Sequence, residues 1–186
     1  MLHLPEWVKD RYRTVTRHSP RPHTSPALAS RQNAAMRVSA KVDYAVRAMV
    51  ELAASPDGPV KAEQLAHAQA IPAKFLENIM LELRRAGLVR SQRGSDGGYW
   101  LARPAGEISI ADVIRGVEGP LADVRGQGAE DLLYEGAAEP LRDVWVAVRV
   151  SLRSVLEQVT LADVAAGRLP ASVSELTQTE GAWVRR

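Results

Sequence analysis

The stretch that decides the fold is KFLENIMLELRRAGLVRSQRGSDGGYWLARP, Lys74 to Pro104. Its first half predicts a helix. Phe75, Leu76, Ile79, Met80 and Leu83 recur at helical spacing and make one apolar stripe. Gly87 is a good C-terminal stop. The second half predicts two strands, LVRSQ and GYWLA, joined at the tip by RGSDG. Gly94, Gly97 and Gly98 allow positive φ and close approach of another surface. A helix followed by a glycine-tipped hairpin is the second half of a winged helix-turn-helix.

The first half lies upstream. A helix is expected from Ser39 to Ala54, capped by Ser39, with Val42, Ala45, Val46, Met49, Val50 and Ala53 inward. The turn SPDGP, Ser55 to Pro59, stops it. A second helix is expected from Lys61 to Gln69, with Leu65 and Ala66 inward and His67 on the surface. A short turn at Ala70 and Ile71 leads to Pro72, a suitable first-turn residue for the third helix. Val60 can add a third, very short strand.

Downstream, Ser109 caps a fourth helix whose inward residues are Ile110, Val113, Ile114 and Val117. Residues 119–139 are rich in Gly, Ala and acids and read as a linker. From Pro140 to Val159 the residues Leu141, Val144, Trp145, Val148, Leu152, Val155, Leu156 and Val159 step by three and four, close to a heptad seam. Thr160 and Asp163 resemble a capping pair for one more short helix. Residues 170–186 read as a loose polar tail. The expected organisation is a basic tail over 1–35, a winged helix-turn-helix over 36–118, the linker, a dimerisation helix with a short helix over 140–169, and the tail. The fold class is mainly α with a small β-hairpin wing.

Composition excludes several functions. The chain has 186 residues, 46% of them apolar, enough for a core. No stretch approaches the roughly 18 apolar residues of a membrane span, and the N-terminus lacks a signal-peptide layout. A cytoplasmic protein without a membrane partner is expected. The chain has no cysteine, which removes disulfides, thiolate metal sites and cysteine nucleophiles. Three of the four histidines, His3, His18 and His23, fall in the N-terminal segment, so no histidine cluster is expected. GSDGG has neither the lysine nor the following helix of a phosphate loop. The expectation is no enzyme, no catalytic residue, no metal and no cofactor.

Charge is uneven. Residues 1–35 carry six Lys/Arg against two acids, residues 36–104 ten against seven, and residues 105–186 eight against thirteen. A basic front fits an anionic partner. The stretch RHSPRPHTSPALASRQ lacks apolar periodicity, and Met36 reads as a natural start, so residues 1–35 are expected to be inert or to lie upstream of the true start. The functional alternative is a tail that adds DNA affinity through its arginines.

The third helix leaves Lys74, Glu77, Asn78, Leu81 and Arg85 opposite its apolar stripe. Asn78 can pair with adenine, Glu77 can accept from cytosine, Lys74 can reach a guanine or a phosphate, and Leu81 can touch a thymine methyl. Arg93 at the start of the wing, with Gly94, Ser95 and Gly97, is placed to probe a narrow minor groove. Arg37, Ser39, Lys41 and Tyr44 are candidate phosphate contacts. A winged helix has its own small core, so the heptad seam points to a second copy rather than to an intramolecular core. A dimer would place two recognition helices on half-sites roughly 34 Å apart, on an inverted repeat.

MRVSAKVDYAVRAMVELA, the opening stretch and ISIADVIRGVEGPL together resemble the Rrf2 family of bacterial transcription regulators, over about Met36 to Ala166. That family includes the iron–sulfur cluster regulator, the nitric-oxide-sensing repressor and the cysteine-metabolism repressor. The resemblance implies a dimeric winged-helix DNA-binding protein with a long dimerisation helix. It puts recognition positions at Lys74, Glu77 and Asn78 and wing positions at Arg93 and Gly94. Family members usually carry a serine near the start of the recognition helix, where Pro72 and Ala73 stand here, so a hydroxyl contact is lost and the target sequence should differ. Cluster-binding members carry three cysteines between the positions of Gly119 and Pro140, whereas this chain reads GPLADVRGQGAEDLLYEGAAEP. A cluster-free regulator, most simply a repressor, is expected, responding to an unidentified small molecule or protein effector or to none. The rival readings are a winged-helix adaptor that binds protein rather than DNA, and a metal sensor using Glu130, Asp131, Glu135 and Glu139.

Overall fold

The computed structural model describes residues 38–55 and 57–184. Arg37 and the tail over 1–35 lie outside the described residues. Helix α1 spans Ala40–Ala54, α2 Ala62–Ala68, α3 Ala73–Arg85, α4 Ile110–Glu118, α5 Leu141–Leu156, α6 Leu161–Ala165 and α7 Ala171–Gln178. Strands β1, Val89–Gln92, and β2, Gly98–Leu101, form an antiparallel hairpin between α3 and α4.

Local chemistry sets these boundaries. The Ser39 hydroxyl accepts the Val42 amide at 3.1 Å and starts α1. Ser109 with Asp112, and Thr160 with Asp163, form capping boxes at the starts of α4 and α6. Gly87 has φ +72, the left-handed turn that ends α3 and aims the chain into β1.

One core unites α1 to α4 with the root of the hairpin. It contains Val42, Ala45, Met49 and Leu52 of α1, Leu65 of α2, Leu76, Ile79, Met80 and Leu83 of α3, and Val113 and Val117 of α4. Helix α1 is the central strut, packing against α2, α3, α4, α6 and β2. Burying each large apolar side chain of this core contributes about 1.5–3 kcal/mol.

Four features differ from the sequence-based expectation. Phe75 is not part of the α3 stripe: it is 61% exposed, while Leu76, Ile79, Met80 and Leu83 are buried. A helix turns about 100° per residue, so the position before Leu76 falls beside the stripe rather than on it. Residues 171–178 form a helix rather than a loose tail, started by Pro170 as its cap, although none of its residues is buried. Residues 119–139 are irregular, with two 3-10 turns, yet Leu121, Ala129 and Leu132 are buried and pin the segment down. Val159 lies beyond the end of α5 and is buried within its own chain, where its carbonyl accepts the Ile110 amide at 2.9 Å. It is therefore not available to an interface.

Candidate nucleic-acid interface

The helix-turn-helix corner is held by side chains of α1. Arg47 donates to the Gln69 carbonyl and also pairs with Asp43 at 3.0 Å. The Gln69 amide donates to Glu51 at 2.7 Å. The corner itself is tight: Ala70 takes φ +50. Buried Ile71 and Leu76 flank the start of α3 as the apolar pair of a staple, which fixes the angle at which the helix leaves the turn.

From that start, α3 buries one face and bares the other. Lys74, Glu77, Asn78, Leu81 and Arg85 are all exposed, and they share one side of the helix as their spacing requires. Phe75 joins them on the flank. The wing projects beyond the C-terminal end of α3. Arg93, Gly94 and Ser95 are exposed at its tip.

The three wing glycines have separate reasons. Gly94 alone takes positive φ, +113, and closes the turn by accepting the Gly97 amide at 3.1 Å. Gly97 is buried, and a Cβ there would lie 2.3 Å from the Gln92 carbonyl oxygen. It therefore closes the hairpin rather than presenting a surface, which corrects its expected place among the contact residues. A Cβ on Gly98 would lie 2.6 Å from the Val60 carbonyl oxygen. That closeness lets Val60 and Tyr99 exchange two backbone hydrogen bonds, 2.9 and 2.8 Å, so the third strand is a single bridge at the root of the wing.

Charge pairing divides the surface. Among the described residues, no carboxylate lies within salt-bridge distance of Lys74, Arg84, Arg85, Arg90 or Arg93. Sequence reasoning does not pick out Arg84 or Arg90. Arg84 donates to Ser91 at 3.3 Å, and Arg90 stands opposite Trp100 across the hairpin. Their place on α3 and β1, beside the recognition face and the wing, is the signal that could have found them.

The start of α1 behaves differently. Lys41 pairs with Glu82 of α3 at 2.6 Å and donates to the Val117 carbonyl of α4 at 2.5 Å. Ser39 caps α1 and donates to Glu118. The Tyr44 ring packs on the core, with the Arg47 guanidinium 5.6 Å from its centre. Lys41 thus ties α1 to α3 and α4 and is not a free cation, and Ser39 ties α1 to α4.

Three arginines around residues 119–139 and α5 are paired with carboxylates. Arg149 binds Glu130, and Arg115 and Arg153 share Glu157. Hydrogen bonds from Arg115 and then Arg153 hold the Glu157 carboxyl below its ordinary range. A backbone hydrogen bond within its own residue, then the Arg149 guanidinium, does the same for Glu130. A cavity of about 310 Å³ lies between Leu132–Tyr134 and the start of α5, and one of about 470 Å³ between residues 120–131 and the guanidinium groups of Arg115, Arg149 and Arg153.

Helix α5 has no buried residue. Leu141 is 40% exposed, Val144 48% and Val150 57%. Trp145, Val148, Leu152, Val155 and Leu156 are half-buried, and the Trp145 indole donates to the Tyr134 hydroxyl at 3.0 Å. Among the described residues, no helix is long and apolar enough to cross a membrane.

Comparison with known proteins bears on this arrangement. The Rrf2 family model, described as an iron-dependent transcriptional regulator, matches residues 38–167. A Mycobacterium tuberculosis protein named as an HTH-type transcriptional regulator is 58% identical over 142 residues, covering 76% of this chain and 88% of that protein. The HTH-type transcriptional regulator CymR of Bacillus subtilis is 34% identical over 131 residues, covering 70% of this chain and 90% of its own. The solved structure of that CymR, described as a global cysteine regulator, matches with a TM-score of 0.61 at 32% identity, over 70% of this chain and 97% of its own. The structure of T. potens IscR matches with a TM-score of 0.57 at 36% identity, over 70% and 87%. The matched proteins are transcriptional regulators rather than enzymes, and the fold is their winged helix. The iron in the family description does not fit the donors of the described residues. The chain has no cysteine, and among the described residues no three His, Asp or Glu side chains gather in a group able to hold a metal ion.

Proposed function

The chain belongs to the Rrf2 family of transcriptional regulators, and from that premise we propose that it represses transcription in the cytoplasm as a homodimer bound to an inverted-repeat operator, without an iron–sulfur cluster. The observation that carries the reading is the bared face of α3, whose cations have no carboxylate partner among the described residues, continued by Arg93 at the wing tip. Lys74, Glu77 and Asn78 read base edges in the major groove, and Leu81 and Arg85 extend that contact. Arg93, with Gly94 and Ser95 around it, lies along the minor groove. Lys41 acts indirectly, by tying α1 to α3 through Glu82.

Helix α5 supports the dimer. Its apolar seam, Leu141, Val144, Trp145, Val148, Leu152, Val155 and Leu156, has no buried member in the single chain. A second copy gives the seam the cover its own chain lacks. The effector, if there is one, is a small molecule or protein acting through 119–139.

The test is a gel-shift titration on the promoter of its own gene and on neighbouring promoters, repeated over a range of salt, with sedimentation to count copies. The expected result is a dimer whose affinity falls steeply as salt rises, because phosphate contacts release counterions. Failure to bind any of these fragments, with no salt dependence, would leave a protein-binding adaptor.

A further inference from the structure

We propose that Phe75 is the apolar base reader of α3, packing against the C5-methyl of a thymine and so selecting thymine at one position in each half-site. The inference rests on the DNA-binding reading above and names a determinant within it.

Phe75 is the only phenylalanine in the chain. The fold gives it no internal role. It is 61% exposed, and the core of α3 is complete with Leu76, Ile79, Met80 and Leu83. The staple at the start of the helix uses Ile71 and Leu76 instead. With Pro72 as cap, Phe75 occupies the third helical position, where a Glu or Gln would reach back to cap the helix. Here α3 has no side-chain cap at all. A large apolar group thus stands where local chemistry favours a carboxylate or amide.

Its place gives the reason. The N-terminal residues of a recognition helix are the ones that reach base edges. Phe75 is in the first turn, beside Lys74 and one turn before Asn78, all exposed. Leu81, the other exposed large apolar residue of α3, is at 36% and a turn and a half further along. A phenyl ring carries no hydrogen-bond donor or acceptor, so the base feature it can distinguish in the major groove is the thymine methyl. Lys74 and Asn78 at its sides supply polar contacts to neighbouring groups.

The experiment uses the full chain. Operators are first enriched from a random duplex pool with the wild-type protein. Each thymine of the enriched sequence is then replaced by deoxyuridine, which removes the methyl and nothing else. Affinities are measured for wild type, Phe75→Ala, Phe75→Leu and Leu81→Ala, after thermal melting has confirmed that all four are folded. At one thymine per half-site, deoxyuridine should weaken wild-type binding about fourfold, the value of one buried methyl-sized group. Phe75→Ala should bind the thymine operator more weakly and lose nothing further with deoxyuridine. Phe75→Leu should keep part of the methyl sensitivity, and Leu81→Ala should still discriminate thymine from deoxyuridine at the position that Phe75→Ala ignores. A wild type indifferent to deoxyuridine everywhere would overturn the inference, as would an equal penalty in Phe75→Ala. If no sequence is enriched at all, the DNA reading fails first and Phe75 falls with it.

Discussion

The two ends of this molecule solve opposite surface problems. On α3 and the wing, the cations have no carboxylate partner among the described residues, and the apolar residues are mostly inside. On α5, Arg149 and Arg153 are paired with Glu130 and Glu157, and none of the apolar residues is buried. Net charge alone, +2 for the whole chain, hides this division. Unpaired charge suits a polyanion that arrives with its own counter-charge. Bared aliphatic groups suit a protein surface of the same kind, and pairing the nearby charges removes repulsion between two copies.

That contrast can be broken from either side. The largest effect is expected at α5. Val144→Glu puts a carboxylate on the seam without disturbing a buried residue. The dimer should dissociate in sedimentation, and operator affinity should fall about a hundredfold or more as the two half-sites lose their linkage. Arg93→Ala comes next. It should weaken DNA binding by about tenfold to a hundredfold and flatten the salt dependence, with dimer and melting temperature unchanged. Gly98→Ala sharpens the comparison by acting on structure instead of charge. Its Cβ meets the Val60 carbonyl, so stability should fall by about 1–3 kcal/mol in denaturant titration, and DNA affinity should drop with it.

The smaller effects concern the paired region. Glu157 has its folded carboxyl lowered by Arg115 and Arg153, so its contribution is present above the ordinary carboxylate range and is lost as pH falls through the lowered value. Glu157→Gln should therefore be less stable than wild type at neutral pH and converge with it in acid, as read by melting against pH. Arg149→Ala should do least. The Glu130 carboxyl should titrate at higher pH by NMR, with little change in melting, because the pair is exposed.

Much of this architecture was legible in the sequence where the signal is local. Ser39, Ser109 and the Thr160–Asp163 pair cap helices as their chemistry dictates, and Gly87 stops α3. The exposed face of α3 followed from spacing alone. The misses depended on three-dimensional neighbours. Hydrophobic character puts Phe75 in the stripe, but the packing of α3 on the core shows that Leu76 takes the inner place. Val159 continues the seam by counting and leaves it because the helix ends at Leu156. Lys41 reads as a free cation until Glu82, forty-one positions later, comes within 2.6 Å. Gly97 and Gly94 look alike in a string, and only the closed hairpin shows that one turns the chain while the other leaves room for Gln92.

The Val60 bridge has a thermodynamic consequence. A free two-stranded hairpin is marginal in water, and its tip samples many positions. Here the root is tied by two further backbone bonds to the segment before α2, and Tyr99 and Leu101 pack on the core. The conformational entropy of the wing is thus largely surrendered when the chain folds. On the proposed reading, contact with DNA leaves only the Arg93 side chain and the tip around it to order, so little freedom is lost there.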